Sequence, residues 1–342
     1  MPTPLSPEAP KAAATQPAGD APSTAHHSSR SRLEWPFDGN ACPYATSLSG
    51  EAILLAFDGS TEAAAAAHVA DAIAGRLKGT VNVVSVIDTT PVPIPFPLDL
   101  AVGLVAENAG GTIHQEQERE VRDRIGTLLG HTIDWPTSIE LGTPADAIAR
   151  QAQRTKAALV VMGLRRHGLV DRTINDETAL SVMRKAPGPV LGVVAGATGI
   201  PQRALVAMDF TRASVHAAVA AARLMTAGGI MTLAYVESMM EYPPGSSEAV
   251  IHALGLDSAF EQLERALASD ALRIDHVILH HSEAGAPSRI LLEYAEGARV
   301  DLLVAGSARH GRLDRILLGS VSAELVRVGQ YSTLVVPPDR DE

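Results

Sequence analysis

The chain has 342 residues, of which 46% are hydrophobic and 4% aromatic, and its formal net charge at pH 7 is -11. This length predicts two domains with aliphatic cores, and the acidic charge argues against a nucleic-acid-binding surface. The single cysteine, Cys42, cannot form an internal disulfide and no apolar run could span a bilayer, so we expect a cytoplasmic protein without nucleic-acid or membrane partners.

The first 48 residues are rich in Pro, Ala, Ser and Thr. This composition predicts a disordered tail, because it buries too little apolar surface to offset the entropy of ordering. Regular structure begins with the run AILLAF at 52–57, which is typical of a buried parallel strand. The first half then predicts strands at 52–57, 81–86, 138–141, 158–163 and 189–194, and helices at 62–77, 112–129, 144–155 and 177–185.

The second half repeats the same order of elements. It predicts strands at 204–208, 231–236, 276–280, 301–306 and 333–336, and helices at 212–226, at 247–270, from about 287 to 298, and at 320–328. Two short motifs recur in the same order: MDFT at 208–211 echoes FDGS at 57–60, and GSARHG at 306–311 echoes GLRRHG at 163–168. The chain therefore contains a duplicated domain, with a first repeat at 49–198 and a second repeat at 201–338.

The alternation of strands and helices predicts an α/β fold with two tandem Rossmann-like domains. Each domain is a five-stranded parallel sheet flanked by helices, joined by right-handed crossovers. Ligands of such sheets bind beyond the carboxyl ends of the strands. Asp58 and Asp209 follow the first strands there, and Gly163 and Gly306 end the fourth strands.

The most specific motif is GSARHGRLDRILLGSVS at 306–322. A glycine such as Gly306 at a strand end lets a ligand approach the backbone and permits a positive φ. Gly319 and Ser320 open a helix, where unpaired N–H groups and the helix dipole favour an anion. Alternatively, Gly306 only forms a tight turn and Ser320 only caps the helix. Taken together at this spacing, these residues favour an anion site.

This motif resembles the universal stress protein family. Nucleotide-binding members of that family carry Gly, two residues, Gly, nine residues, and then Gly-Ser or Gly-Thr. Gly306, Gly319 and Ser320 match this pattern, Arg309 replaces the middle glycine, and LLGSVS at 317–322 is also typical. The resemblance covers both repeats, roughly residues 50 to 338, and implies an adenine nucleotide alpha hydrolase-like fold.

The resemblance also implies a ligand and its contacts. The ligand would be ATP, with or without Mg²⁺, or a related adenine nucleotide. Asp209 would contact the nucleoside, Val236 would lie near the adenine, and the loop glycines Gly306 and Gly311 would hold the phosphates with Gly319 and Ser320. Asp209 has a compatible second interpretation, as the cap of the helix that starts near Arg212. The two repeats would pack as a pseudo-dimer through their last strands, and the chain would stay monomeric or dimerise again.

Two departures from the family pattern affect this prediction. Arg309 either blocks the site or binds phosphate with its guanidinium, for which its planar fork is suited. In the first repeat, Asp176 and Glu177 stand where the family has Gly-Ser. Two carboxylates at a helix start satisfy the helix dipole themselves and repel phosphate, so we predict that the first repeat binds no ATP.

The sequence thus favours a universal stress protein that binds an adenine nucleotide in its second repeat and regulates an unknown protein partner by a shift in conformational population. Two alternatives remain: an interaction module that binds no nucleotide, and a slow ATPase. We predict no catalytic or metal residues, since no nucleophile or Walker-type motif occurs and His280-His281 lacks evident metal partners. The loops at 89–111 and 238–247 are expected to confer partner specificity.

Overall fold

The computed structural model describes residues 51–89, 111–165, 175–238, 245–267, 271–281, 287–309 and 316–337. The tail predicted at 1–48 lies outside these residues. Most of the two loops expected to confer partner specificity, 89–111 and 238–247, also lies outside them.

The first repeat contains five strands and four helices among the described residues. Its strands are β1 (Ala52–Ala56), β2 (Thr80–Ile87), β3 (Thr137–Leu141), β4 (Leu159–Gly163) and β5 (Val190–Val193). Its helices are α1 (Thr61–Leu77), α2 (Gly111–Leu129), α3 (Pro144–Arg154) and α4 (Asn175–Lys185). The elements predicted for this repeat are all present, with ends that differ by at most two residues.

The second repeat follows the same plan with one addition. Its main strands are β6 (Arg203–Met208), β7 (Gly229–Ser238), β8 (Leu272–His281), β9 (Leu302–Gly306) and β12 (Ser332–Val336). Its helices are α5 (Arg212–Leu224), α6 (Ser247–Leu267), α7 (Pro287–Ala298) and α8 (Ser320–Val328). A short antiparallel pair that the sequence did not predict, β10 (Ala308–Arg309) with β11 (Ile316–Leu317), lies between β9 and α8.

The strands form one sheet of ten, in the order β3-β2-β1-β4-β5-β12-β9-β6-β7-β8. Neighbouring strands are parallel within each repeat, as expected for strands joined by helices. The two repeats meet where β5 and β12 pair antiparallel, with Leu191 opposite Leu334. The α/β prediction is therefore confirmed, and the last strands join as expected for a pseudo-dimer.

The core is aliphatic and occupies both faces of the sheet. One face packs against α1 and α2 of the first repeat and α5 and α6 of the second in a shared buried cluster. On the other face, Ala323 and Val326 of α8 belong to the same cluster as Val182 and Met183 of α4. Helices α4 and α8, which occupy equivalent positions in the two repeats, are thus in contact with each other.

Local sequence determines where the helices begin and end. Ser60 caps α1 by accepting a hydrogen bond from Ala63 N at 3.1 Å, and Lys78 ends the helix in the left-handed conformation. Pro144 occupies the first turn of α3, where its missing N–H costs nothing. None of the helices within the described ranges combines the length and apolarity needed to cross a membrane.

A surface histidine provides a pH-dependent contact between α1 and the end of α2. His131 Nε2 lies 3.1 Å from Asp71 Oδ2, and this hydrogen bond raises the pKa of His131 above its ordinary 6.5. At pH values below the pKa that His131 has in the unfolded chain, the contact contributes its full stabilisation to the fold. This stabilisation is lost as the pH rises through the pKa of His131 in the folded chain. We expect Asp71→Asn to lower the His131 pKa in an NMR titration. An unchanged titration curve would mean that the pair does not form in solution.

Candidate functional site

A cavity of about 500 Å³ opens at the carboxyl end of the second repeat's strands. It is lined by the ends of β6 and β9, by β7, and by the first turns of α5, α7 and α8. The order β8-β7-β6-β9 places β6 and β9 side by side, with β6 followed by α5 and β9 by the loop that leads to α8. The cavity thus lies at the switch point in strand order, where α/β sheets bind ligands.

The structure brings most of the predicted site residues together. Five of the seven line this one cavity: Asp209, Val236, Gly306, Gly319 and Ser320. Arg309 lies in strand β10, and Gly311 lies outside the described residues.

Asp209 orients the start of α5 but does not cap it. The N-cap residue is Thr211, whose side chain accepts a hydrogen bond from Ser214 N. Asp209 Oδ1 in turn accepts from Thr211 N at 3.0 Å and from Thr211 Oγ1 at 2.6 Å. Both bonds use Oδ1, so a ligand in the cavity can be recognised through Oδ2. The interpretation of Asp209 as the helix cap is therefore wrong.

The turn between Asp209 and Thr211 has an unusual backbone. Phe210 has φ 55°, a left-handed conformation that costs an L-residue with a side chain on the order of 1–3 kcal/mol. The equivalent residue of the first repeat is Gly59, with φ 76°. Phe210 is buried and packs against the rings of Phe260 and Tyr235, at centroid distances of 4.9 and 6.1 Å. Aromatic packing thus holds the strained turn that presents Asp209 to the cavity.

Gly306 is required by packing. A Cβ at this position would lie 2.5 Å from Ala213 C and O, because the first turn of α5 rests directly on the end of β9. Gly163 is in the same position in the first repeat, where a Cβ would lie 2.8 Å from Ala63 N. The described glycines with positive φ do not include Gly306. Gly306 therefore does not use the positive φ that a glycine permits, and its glycine identity by itself says nothing about a ligand.

Gly319 differs, because the protein has no evident need for a glycine there. Its φ is -58°, which any residue adopts, and among the described residues the nearest atom to an added Cβ would be Ser322 Oγ, at 3.9 Å. Gly319 is the N-cap of α8 and provides no side-chain cap. Ser320 is the first helical residue, so the interpretation of Ser320 as the cap is wrong. The uncapped first turn of α8 borders the cavity.

Two helix N-termini converge on Gly306. The first turn of α5 packs against its Cα, and Ser322 in the first turn of α8 donates a hydrogen bond to its carbonyl oxygen at 2.8 Å. Neither helix has an acidic residue in its first turn. The positive ends of two helix dipoles therefore face the same cavity, with the Asp209 carboxylate beside the start of α5 and no acidic residue in the first turn of α8.

The first repeat carries acidic residues at the corresponding positions. Glu62 lies in the first turn of α1, and its Oε2 is 3.9 Å from Arg165 Nε. Asp176 and Glu177 fall in the first turn of α4. The two repeats thus share a backbone plan and differ in the charge at the start of these two helices.

Among the lining residues that sequence reasoning missed are three polar ones at the start of α5: Thr211, Arg212 and Ser214. Thr211 and Ser214 could have been found from the spacing of an N-cap and its N3 residue. Arg212 could have been noticed because a cation at the first position of a helix is electrostatically unfavourable.

His280 lies beside a carboxylate near the end of β8. Its Nδ1 lies 3.1 Å from Glu237 Oε2, and His252 Nε2 lies 3.3 Å from Glu237 Oε1. Over the described part of the chain, no group of three or more His, Cys, Asp or Glu side chains could hold a metal ion. Glu237 thus pairs with imidazoles from α6 and β8.

Comparison with known proteins identifies the family. The Universal stress protein family model matches residues 51–193 and, a second time, residues 201–337. The chain belongs to the universal stress protein family. The two successive matches confirm the prediction of a tandem member. No curated protein matches this universal stress protein.

Two solved structures support the fold of the tandem universal stress protein, and a third is similar to part of the chain. A universal stress protein from Archaeoglobus fulgidus is 18% identical with a TM-score of 0.56, and the match covers 86% of this chain and 99% of that one. A candidate universal stress protein from Pseudomonas aeruginosa is 16% identical with a TM-score of 0.51, and the match covers 86% of this chain and 95% of that one. A universal stress protein in complex with cAMP is 25% identical, with a TM-score of 0.29, and covers 41% of this chain and all of its own.

Proposed function

We propose that the second repeat binds ATP or a related adenine nucleotide, with or without Mg²⁺, in the 500 Å³ cavity. The observation that carries this proposal is Gly319. Its backbone conformation and its packing against the described residues do not require a glycine, yet it stands at an uncapped helix start on the cavity wall. A ligand that approaches the backbone closely would require it, and phosphate groups bind helix N-termini in this manner.

The rest of the cavity suits the other parts of a nucleotide. Ala234, Val236, Leu291 and Ala305 provide an apolar wall for the base. Asp209 Oδ2 would accept a hydrogen bond from the sugar hydroxyls. Ser320 and the first-turn N–H groups of α8 would donate to phosphate oxygens, assisted by the helix dipole.

The first repeat is proposed to bind no nucleotide. Its Glu62 replaces Ala213, and Asp176 and Glu177 replace the Gly-Ser pair. Each carboxylate near a phosphate costs on the order of 1 kcal/mol in water and several kcal/mol where water is partly excluded. Three such groups would reduce the affinity for a triphosphate by several powers of ten.

The proposed activity is regulation of a protein partner by binding. Among the described residues, no group of side chains in the cavity could hold a metal ion. The polar groups that line the cavity suit recognition of a nucleotide better than its turnover. A bound nucleotide would stabilise one conformation of the strand-end loops and so favour one partner-binding state. The chain has a single cysteine and therefore cannot form an internal disulfide, which is consistent with the proposed location in a reducing cytoplasm.

The first test is the nucleotide content of freshly purified protein. Denaturation followed by mass spectrometry is expected to release about one adenine nucleotide per chain. Calorimetry with ATP and Mg²⁺ then measures the affinity, and ATP at 100 times Kd should add about 2.7 kcal/mol to the free energy of unfolding.

The stoichiometry distinguishes the alternatives. Two nucleotides per chain would show that the acidic first repeat binds as well and that the charge argument is wrong. No nucleotide and no heat of binding would contradict the proposal and favour an interaction module. Arg309, which stands where the family has its middle glycine, motivates that second candidate.

A further inference from the structure

A second, smaller cavity of about 160 Å³ opens at the amino-terminal ends of β6, β7 and β8, at the opposite end of these strands from the proposed nucleotide site. The start of α7 borders the large cavity, whereas Tyr294 and Ala298 near its end line the small one. Pockets for drug-sized ligands have volumes of about 300–1,000 Å³, so the small cavity suits a small ligand. We call it the basic cleft, after the two arginines that line it, Arg203 and Arg273.

The register of the strands places both arginines on the same face of the sheet. Arg203 pairs with Ile230, and Ile230 pairs with Arg273, so the three side chains form one row across β6, β7 and β8. Because neighbouring strands are about 4.8 Å apart, the Cα atoms of the two arginines are separated by about 10 Å. Thr232 and Asp275 form part of the next row on the same face. Two guanidinium groups therefore flank one narrow cleft.

Each arginine is held in place through its Nε atom. Arg203 Nε donates to the carbonyl oxygen of Ala298, the last residue of α7, at 3.1 Å. Arg273 Nε donates to Asp275 Oδ1 at 3.0 Å. Within the part of the chain that the structure describes, the terminal nitrogens of both guanidinium groups make no hydrogen bond. Each group thus keeps four N–H donors, arranged as a planar fork, for a ligand in the cleft.

The cleft has more hydrogen-bond donors and more positive charge than its own residues balance. Thr232 and Tyr294 are half-buried in its lining, and their hydroxyl groups have no hydrogen-bond partner among the described residues. The charged lining residues described are the two arginines and Asp275, which leaves one positive charge in excess. A nearby carboxylate, Asp301, accepts from two backbone N–H groups at the start of β6 and does not line the cleft. A small anion with several acceptor oxygens matches this lining.

The first repeat forms the same strand pairing without an arginine. Counted from the aspartates that follow the first strands, Ala52 occupies the position of Arg203. Ala52 pairs with Thr80 as Arg203 pairs with Ile230. The pairing of the strands therefore does not require an arginine at this position, and the contact through Nε uses only one of the five N–H groups of a guanidinium.

We propose that the basic cleft is a second ligand site, which binds a small tetrahedral oxyanion between the guanidinium groups of Arg203 and Arg273. Their terminal N–H groups would donate paired, charge-assisted hydrogen bonds to the oxygens of the anion, with further donors from the hydroxyl groups of Thr232 and Tyr294. Inorganic phosphate and the phosphate group of a larger molecule share this chemistry. The site does not depend on the proposed nucleotide site, because Arg203 and Asp209 lie about 20 Å apart along β6.

The test is calorimetric titration of the full chain with inorganic phosphate, at an ionic strength held constant with chloride. We expect saturable binding to the wild type. Arg203→Gln and Arg273→Gln should each lower the affinity about tenfold, near the lower end of the range for a hydrogen bond to a charged group. Asp275→Asn is the matched variant of opposite sign. It removes a repelling charge at nearly the same size and should raise the affinity about fivefold.

A second titration with glycerol 3-phosphate distinguishes the two sources of the anion. An affinity similar to that for inorganic phosphate would support a phosphate group carried by a larger molecule. A much lower affinity would support the free anion, because the cleft would then exclude the attached group.

Three results would overturn the inference. The first is the absence of saturable phosphate binding to the wild type. The second is an affinity that falls in Ser320→Asp but not in either arginine variant, which would place the anion in the large cavity. The third is an unchanged or lower affinity in Asp275→Asn. This last variant decides the matter even if an arginine variant is unstable, although exposed contacts such as that of Arg273 with Asp275 contribute little to stability.

Discussion

Replacing Ser320 with aspartate is expected to abolish nucleotide binding and to leave the fold intact. Ser320 opens α8 on the cavity wall, so the new carboxylate would face the bound phosphates. Two unit charges 4 Å apart repel by about 1 kcal/mol in water and about 4 kcal/mol at an effective dielectric constant of 20. With several phosphate charges nearby, we expect the affinity for ATP to fall at least about 100-fold.

The stability of the variant separates this effect from unfolding. An acidic residue in the first turn of a helix interacts favourably with the dipole, by about 0.3–1 kcal/mol at an exposed site. The thermal midpoint of Ser320→Asp should therefore equal or exceed that of the wild type. Ser320→Asn is the matched control, because it has the same size without the charge and should keep most of the binding. ATP affinity in Ser320→Asp within threefold of wild type would place the nucleotide elsewhere.

Replacing Gly306 with alanine is expected to destabilise the protein strongly. The added methyl group would lie 2.5 Å from the backbone of Ala213, which cannot move without shifting α5 from the sheet. Overpacking in a close-packed core typically costs about 1–3 kcal/mol, and a clash with backbone atoms should reach or exceed the upper end. Urea unfolding measures the loss as a lower midpoint at an unchanged slope. A midpoint equal to that of the wild type would contradict the close approach of α5 to β9.

The matched variant is Gly319→Ala, for which the opposite result is expected. Alanine fits the φ of -58° and the open space, so the free energy of unfolding should change by less than about 1 kcal/mol. The methyl group would enter the space assigned to phosphate, so the affinity for ATP should fall about tenfold or more. Wild-type affinity in Gly319→Ala would remove the main support for the nucleotide site.

The sequence predicted the elements and the location of the site because both follow from local patterns. Apolar runs such as AILLAF define the buried strands, and the carboxyl ends of parallel strands converge on one edge of a sheet. Asp209 and Gly306, which lie far apart in the chain, could therefore be assigned to one cavity before its geometry was known, and the family resemblance added Val236.

The structural roles of individual residues could not be predicted in the same way. Whether Gly306 serves a ligand or a neighbouring helix depends on the distance between α5 and β9, which no local pattern encodes. The left-handed Phe210 runs against its own propensity and is held by Phe260, fifty residues later in the chain. The pairing of Arg309 with Ile316 joins residues whose two-residue strands are too short to give a periodic signal.

The antiparallel pairing of β5 with β12 makes the association of the two repeats independent of protein concentration. Either strand would be an open edge if its repeat were produced alone, and an unpaired edge of buried aliphatic residues tends to find another chain. Because one polypeptide carries both strands, each always has its partner at a high effective concentration that dilution cannot lower. The first repeat, even without a ligand, thereby acts as a permanent subunit that supports α8 through its contact with α4.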